Sequence, residues 1–214
     1  NAEFVGHPLL DNPLLKEIPS DFSDRENIIA LLPGSRQQEI ENHLELFVQS
    51  AMLLKKTYPD FQIALARNAN TNLDLYNSFL QDNNVLIEEN SLELMKKAKI
   101  GIVKTGTSNL EAALAGMPFV MVYKTSVFSY ILSKQLIDLE YISIVNILKN
   151  KVIIPEIIQK DANPQSISKS LIDLLSSQEK IRLIQSVYSE IRNTLGSANA
   201  SETTAEKIRD IFFK

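Results

Sequence analysis

The chain has 214 residues, of which 44% are hydrophobic and 22% charged, with a formal net charge of −4 at pH 7. These values are ordinary for a globular protein, and the acidic balance argues against a general nucleic-acid-binding protein, which usually carries a basic face. The sequence holds no cysteine and only two histidines, which excludes a disulfide framework, a thiol nucleophile and a histidine-rich metal site. No apolar run approaches the ~20 residues that a membrane-spanning helix needs.

The amino-terminal region is expected to precede the folded domain. Asn1-Ala2 is typical of the remnant of a cleaved purification tag. Residues 3–27 contain three prolines and no sustained periodicity, which indicates a connecting segment. Because this segment begins abruptly, as if inside a longer protein, we expect the chain to be a fragment.

From residue 28 onward, short apolar runs alternate with amphipathic segments. Strands are predicted for residues 27–32, 61–66, 85–87, 100–103 and 119–123. Helices are predicted for residues 40–58, 72–80, 91–97 (capped by Ser91), 165–175, 181–195 and 201–213. This alternation predicts an α/β fold, with a Rossmann-like parallel sheet flanked by helices over residues 28–196 and a helical carboxyl terminus.

The turn at residues 105–108 is the strongest candidate binding site. It lies between a predicted strand and a helix, where unpaired backbone N–H groups favour an anion. Gly106 permits close approach of the backbone, and the hydroxyls of Thr107 and Ser108, next to Thr105, can cap the helix or donate to a phosphate oxygen. Glu111 lies one helical turn beyond Thr107 and can accept hydrogen bonds from a ribose diol. The pattern indicates a nucleotide-diphosphate site; a helix cap without a ligand and a solvated acid remain open.

A second turn, at residues 33–36, follows the first predicted strand. Gly34 allows a tight turn, Ser35 can cap the next helix, and Arg36 offers a forked cation to phosphate oxygens. Ligands of such folds collect at the carboxyl ends of the strands, so we expect both turns to lie at one edge and to grip one diphosphate. A simple strand-to-helix turn with a solvated Arg36 is equally compatible with this segment.

Several other residues allow two interpretations. Asn146, inside an apolar stretch, is either a ligand contact or a buried amide bonded to neighbouring backbone. The apolar cluster at residues 126–136 favours a core position over contact with a membrane or an acyl chain. His43 is predicted to be exposed, and His7 has no visible acid or base partner. Without a defensible catalytic triad or carboxylate pair, the sequence looks like a binding half that lacks its catalytic half.

Five segments occur in the order seen in lipid-A-disaccharide synthases, a family that this chain resembles. They are VGHPLLD (5–11), LLPGSR (31–36), TGTSNLE (105–111), YISIVNIL (141–148) and PEIIQ (155–159). The resemblance covers nearly the whole chain, but only the carboxyl-terminal half of such an enzyme. Two positions depart from the family pattern: Thr105, preceded by Lys104, replaces the usual serine, and Val145 replaces the common proline. Lys104 either adds a phosphate contact or is solvated.

The resemblance implies one half of a GT-B glycosyltransferase of lipid A biosynthesis, with no metal or other cofactor. The family transfers 2,3-diacylglucosamine from its UDP conjugate to 2,3-diacylglucosamine 1-phosphate, a lipid X-type acceptor, and releases UDP. It implies a cytoplasmic enzyme of Gram-negative bacteria, peripheral at the inner membrane, with that membrane surface and its own amino-terminal domain as partners. The helix at residues 197–214 can pack against that domain, including that of a second subunit in a homodimer. No nucleic acid is implied as a partner.

The resemblance also implies roles for the turn residues. Arg36 contacts the diphosphate and stabilises the leaving UDP, Thr107 and Ser108 line its pocket, Glu111 holds the ribose, and Asn146 lies near the donor. The general base belongs to the absent half, so the fragment is expected to be inactive alone. The alternatives are half of another GT-B enzyme of UDP-sugars, such as a UDP-GlcNAc 2-epimerase, and a non-catalytic nucleotide-binding domain.

Overall fold

The computed structural model describes residues 2–16, 21–68, 71, 76, 84–125, 140–196 and 199–212. The strands in this part are β1 (Glu26–Leu32), β2 (Gln62–Ala66), β3 (Val85–Glu88), β4 (Ala98–Lys104), β5 (Phe119–Tyr123) and β6 (Glu156–Ile158). The α-helices are α1 (Gln37–Thr57), α2 (Ser91–Lys97), α3 (Ser108–Leu114), α4 (Ile144–Lys149), α5 (Pro164–Leu175), α6 (Gln178–Thr194) and α7 (Ala200–Phe212). The apolar cluster at 126–136 and nearly all of the helix predicted at 72–80 lie outside the described residues.

The strands form one parallel sheet in the order β3-β2-β1-β4-β5-β6. The order reverses between β1 and β4, which pair directly, with Leu32 opposite Val103. This is the topological switch point at which open α/β sheets bind ligands. Because both strands end at the same edge, the Gly34 and Gly106 turns lie side by side, and the prediction that they share one edge is confirmed.

The central strands are buried along most of their length. Residues 28–32 of β1 and 119–122 of β5 are all buried, which is the pattern of a parallel sheet covered on both faces. Helix α1 packs against α5, and α3 packs against α4 and α6. In the described part of the chain, none of the helices combines the length and apolarity needed to traverse a membrane.

The amino-terminal segment packs on this domain and holds its last helix. It forms short 3-10 helices at Pro8–Asp11, Pro13–Leu15 and Phe22–Asp24, and buries Leu10 and Leu15 in the core. The Asp11 carboxylate accepts hydrogen bonds from the backbone N–H groups of residues 199, 200 and 201 and from the Ser201 hydroxyl. These bonds cap the amino end of α7, so the segment predicted to be a connection is also part of the packed structure.

Arg25 closes the opposite edge of the sheet. Its guanidinium is buried and donates to the carbonyl oxygens of Met95, Lys96, Ala98 and Ala115. These carbonyls belong to the carboxyl ends of α2 and α3 and to the start of β4. One side chain therefore satisfies carbonyl groups that helix ends leave without an internal partner.

The cap of α2 differs from the prediction. Asn90 is the N-cap residue, and its side-chain oxygen accepts from the N–H groups of Leu92 and Glu93 at 3.1 and 3.2 Å. Ser91 is the first helical residue. Asparagine and serine cap helices about equally well, so the residue types alone did not distinguish the two neighbouring positions.

Candidate functional site

The turn after β1 is built around Glu39, a residue that the sequence analysis did not single out. Gly34 has φ +126°, and a Cβ at this position would lie 2.5 Å from Glu39 Oε2. The same oxygen accepts from the backbone N–H groups of Ser35 and Arg36 at 3.1 and 3.4 Å. Glycine is required here both for the backbone angle and for the space that the carboxylate occupies. The sequence signal for this contact was the position of Glu39 in the first turn of α1, where an acid can bond back to the cap residue.

Arg36 is one of the exposed residues of the predicted site. Its side chain is 84% exposed, and its nearest ionic partner is Glu39 Oε1 at 3.9 Å. The guanidinium is therefore solvated in the free protein. It stands next to the turn, where a ligand can reach it.

The turn after β4 is open. Gly106 has φ +144°, and no heavy atom lies within 4 Å of the position that a Cβ would take. The turn is fixed from below, because Thr105 N–H donates to Val122 O at 3.0 Å and Asn109 Nδ2 donates to Lys104 O at 2.9 Å. No side-chain hydrogen bond caps α3 at Thr107. The helix-cap interpretation of the Thr107 hydroxyl is therefore wrong, and that hydroxyl is exposed to solvent.

Glu111 is a half-buried acid in the first turn of α3. Its burial raises the pKa of the carboxyl above its usual value. Within the described residues, no hydrogen bond or ion pair offsets this burial. A partly desolvated carboxylate without a donor is suited to accept hydrogen bonds from a ligand such as a diol.

Two cavities flank these turns. The first, of about 350 Å³, lies over the ends of β1 and β2 and is called here the β1–β2 cavity. Its lining residues are Leu32, Gly34, Ser35, Ala66, Arg67, Asn68, Glu89, Ser91 and Ser108. It brings residues of both predicted turns together and adds Arg67, which pairs with Glu89 at 3.1 Å. Arg67 follows β2 and was not predicted, although its place at a strand end was a signal.

The second cavity, of about 510 Å³, lies over the ends of β4 and β5 and is called here the β4–β5 cavity. Its lining residues are Gln38, Glu39, Asn42, His43, Lys104, Tyr123, Lys124 and Thr125. Lys104 is half-buried rather than solvated, and its Nζ lies 2.8 Å from Glu39 Oε1. Glu39 therefore contacts both the turn after β1 and the last residue of β4.

His43 is buried, with 2% of its surface exposed, so the prediction that it is exposed was wrong. It follows Ile40 by three residues and precedes Phe47 by four, which places it on the apolar face of α1. His43 Nδ1 lies 2.7 Å from Glu39 O, and since a carbonyl only accepts, Nδ1 carries the proton. Burial is the main cause that lowers the pKa of His43, and the charges of Lys104 and Lys124 lower it further.

Asn146 is fully buried, and all of its hydrogen-bonding positions are filled by the protein. Its Nδ2 donates to Ile154 O and Glu156 Oε1, and its Oδ1 accepts from the N–H groups of Ile153 and Ile154. This is the buried-amide interpretation, and Asn146 lines neither cavity. Its contact with a ligand stays a prediction.

The predicted residues are thus only partly brought together. Gly34, Ser35 and Ser108 line one cavity, whereas Arg36, Thr105, Gly106, Thr107 and Glu111 stand on or beside the two turns. Among the described residues, no group of three or more histidine, aspartate or glutamate side chains is placed to hold a metal ion.

Solved structures with the same fold confirm the α/β prediction. A putative UDP-N-acetylglucosamine 2-epimerase from Listeria monocytogenes matches 97% of this chain and 53% of its own, at a TM-score of 0.60 and 14% identity. The pneumococcal O-GlcNAc transferase GtfA in complex with UDP and GlcNAc matches 88% of this chain and 36% of its own, at a TM-score of 0.58 and 10% identity. The fold is that of one Rossmann-like half of a GT-B glycosyltransferase.

Proteins of similar sequence identify the family of this chain, whereas the solved structures show only its fold. The family model described as lipid-A-disaccharide synthetase matches residues 1–212. The lipid-A-disaccharide synthase of Sulfurihydrogenibium sp. (strain YO3AOP1) is 33% identical over 99% of this chain and 59% of its own length. That of Coxiella burnetii (strain CbuG_Q212) is 32% identical over 99% of this chain and 58% of its own length. The chain spans less than two thirds of the length of these relatives. The family-model match and these identities show that it belongs to the lipid-A-disaccharide synthase family.

Proposed function

We propose that this chain is the donor-binding half of a lipid-A-disaccharide synthase. In the complete enzyme it holds UDP-2,3-diacylglucosamine while the sugar passes to 2,3-diacylglucosamine 1-phosphate and UDP is released. The observation that carries this proposal is the pair of glycine turns, at Gly34 and Gly106, side by side at the switch point of the sheet. An anionic group seated there lies between the turns that follow two adjacent strands and meets the N–H groups of the Gly106 turn, because those of Ser35 and Arg36 already bond to Glu39.

Each site residue has a role that its environment supports. The exposed guanidinium of Arg36 reaches the diphosphate, and the hydroxyls of Ser35, Thr107 and Ser108 donate to its oxygens. Glu111, to which no described residue donates a hydrogen bond, accepts hydrogen bonds from the ribose hydroxyls. The β1–β2 cavity, which extends from Ser108 to Arg67, has a volume of about 350 Å³. This volume is large enough for part of the nucleoside.

The chemistry requires stabilisation of the leaving group. The acceptor hydroxyl oxygen attacks the anomeric carbon, the bond from that carbon to the β-phosphate oxygen breaks, and UDP leaves with the electron pair. Negative charge therefore grows on the diphosphate, where Arg36 and the N–H groups of the Gly106 turn stabilise it. The base that removes the hydroxyl proton belongs to the amino-terminal domain of the complete enzyme, and the isolated chain is inactive.

Asn146 and the wider assembly complete the proposal. Asn146 serves the donor site indirectly, because it bonds to Glu156, which also holds the backbone N–H groups of Ile142 and Ser143. The complete enzyme works as a cytoplasmic protein peripheral to the inner membrane, where its acylated donor and acceptor reside. Helix α7 packs against the amino-terminal domain, and no metal takes part.

Calorimetric titration of the chain with UDP tests the proposal. Arg36→Ala and Glu111→Ala should each weaken binding by about tenfold or more, because charge-assisted hydrogen bonds are worth about 1.5–3 kcal/mol. Arg182→Ala, an exposed arginine of α6 that lines neither cavity, is the matched control and should bind as the unaltered chain does. No binding, or equal binding by all variants, would contradict the donor site and favour a non-catalytic domain.

A further inference from the structure

An ion pair links the elements that flank the two turns of the candidate site. Glu39 stands in the first turn of α1, and Lys104, 65 residues further on, is the last residue of β4. Their side chains meet at 2.8 Å and are only 21% and 20% exposed. The other oxygen of Glu39 accepts from the N–H groups of Ser35 and Arg36. Two donors from the turn after β1 and one from the end of β4 therefore converge on one carboxylate.

These donors are of the kind that proteins use to bind a phosphate group. Successive N–H groups of a glycine-containing turn and a nearby ammonium group form an anion-binding concavity. In the free protein the carboxylate of Glu39 occupies this concavity. The space for it exists because Gly34 has no Cβ.

Arg36 and Lys104, two of the cations near the turns, are held very differently. Arg36 is 84% exposed and lies 3.9 Å from Glu39, so its position is not fixed. Lys104 is fixed by its short contact with Glu39, and it directly precedes the turn that contains Gly106. Lys104 is thus a cation already in place between the turns, whereas the family resemblance implies this role for Arg36 and left Lys104 with two interpretations.

We propose that Lys104 is the ammonium group that binds the diphosphate of the donor, and that Glu39 is its counter-ion in the empty site. When the diphosphate binds, Lys104 exchanges Glu39 for a phosphate oxygen, while Glu39 keeps its hydrogen bonds to the Ser35 and Arg36 N–H groups. This inference rests on the proposed function for the identity of the ligand, but not for the existence of the anion site.

The exchange has an electrostatic consequence. Burial would raise the pKa of Glu39, yet the hydrogen bonds from Lys104 and Ser35 outweigh it and lower that pKa, so Glu39 stays ionised at neutral pH. An ionised carboxylate competes for Lys104 and repels a diphosphate. The charge of Glu39 therefore weakens ligand binding, and the charge of Lys104 strengthens it.

Two variants remove these charges one at a time and leave a polar side chain at each position. In calorimetric titrations with UDP and, separately, with inorganic pyrophosphate, Lys104→Gln should weaken binding of both by about tenfold or more. Glu39→Gln should tighten both by about threefold to tenfold, since the amide still accepts from the turn but no longer holds an ammonium group. In the Lys104→Gln background, Glu39→Gln should change the affinity less, because the ammonium group for which Glu39 and the ligand compete is no longer present.

Matched controls test whether the loss of any surface charge, or unfolding of the variant, explains the change in affinity. Lys160→Gln, at an exposed lysine that lines neither cavity, should leave both affinities unchanged, and thermal unfolding should show each variant folded. If Lys104→Gln fails to fold, Lys104→Arg keeps the charge and should bind both probes within about threefold of the unaltered chain.

The outcomes distinguish the two proposals. Unchanged binding by Lys104→Gln, or a Glu39→Gln variant that binds no tighter than the unaltered chain, overturns the exchange. Failure of the unaltered chain to bind either probe overturns it together with the proposed function. If the chain binds pyrophosphate but not UDP, and both variants respond as expected, the nucleotide ligand of the proposed function is contradicted and the anion site is supported.

Discussion

Asn146 Nδ2 donates a hydrogen bond to Glu156 Oε1 at 2.8 Å, and this contact links α4 to β6. Glu156 also accepts from the N–H groups of Ile142 and Ser143, both at 2.9 Å, just before α4 begins. The amide and the carboxylate thus form a small polar network inside an apolar part of the domain. Such a network is stabilising only while every member has its partners.

Asn146→Ala should therefore destabilise the domain by about 2–4 kcal/mol, because it leaves buried backbone groups at residues 153 and 154 without partners. Urea unfolding, followed by circular dichroism, measures the loss. Asn193→Ala, at an exposed position of α6, is the control and should change stability by less than ~0.5 kcal/mol. Equal stabilities of the two variants would show that the network contributes nothing.

The two glycines of the site should respond unequally to alanine. Both have a positive φ, which costs a residue with a Cβ about 1–3 kcal/mol, but only the Cβ at Gly34 would collide with Glu39. Gly34→Ala should therefore destabilise the chain by about 1 kcal/mol or more beyond Gly106→Ala, because the carboxylate must leave its cap position.

A double-variant cycle tests the cause of this difference. In a Glu39→Ala background the collision is removed, so the extra cost of Gly34→Ala should largely disappear from the free energy of unfolding. A cost that stays the same in both backgrounds would assign the effect to the backbone angle alone.

His43 should make stability depend on pH near neutrality. Its folded-state pKa is lowered, so the unfolded chain takes up a proton on His43 below about pH 6.5 and the folded chain resists it. Stability should therefore fall as the pH is lowered from 7.5 to 5.5. Urea unfolding at both pH values should show this loss in the unaltered chain and a smaller loss in His43→Leu. His7→Gln is the control, and a loss abolished by it instead would contradict the assignment.

Asp11 should control the docking of α7 at low pH. Hydrogen bonds from the Ser201 side chain and backbone, with those from residues 199 and 200, lower its pKa to about 2. The stabilisation is present above the unfolded value of 3.8 and is lost as the pH falls from there through about 2. Hydrogen exchange of α7 amides, corrected for intrinsic rates, should accelerate between pH 5 and pH 2.5.

Asp11→Asn should exchange fast in α7 at both pH values, whereas Asp173→Asn, at an exposed residue of α5, should behave like the unaltered chain. Protection of α7 that persists at pH 2.5 in the unaltered chain would mean that packing, not the carboxylate, holds the helix.

Local patterns in the sequence were sufficient for most of the fold. The boundaries of β1 to β5 were predicted within two residues or better, although β6 was not predicted, and the rule that parallel strands end at one edge placed Gly34 and Gly106 together. The error at His43 was avoidable, because its spacing from Ile40 and Phe47 marked the buried face more reliably than its polar neighbours marked the exposed one.

The geometry of the candidate site was harder to predict from the sequence than the fold was. The bond from Glu39 to the turn follows a known capping pattern, but its partner Lys104 lies on another strand, and no local rule pairs residues so far apart. Asn146 was left with two interpretations because the groups that satisfy it are placed by the packing of α4 against β6. Long-range polar contacts of this kind depend on the whole fold.

Arg25 has an influence that reaches well beyond its own edge of the sheet. It holds the carboxyl ends of α2 and α3, and the amino ends of those same helices carry Ser91 and Ser108 to the β1–β2 cavity. The separation of these two hydroxyl groups is therefore set partly by a guanidinium at the opposite end of the helices. A substitution remote from any ligand can in this way alter which ligands fit.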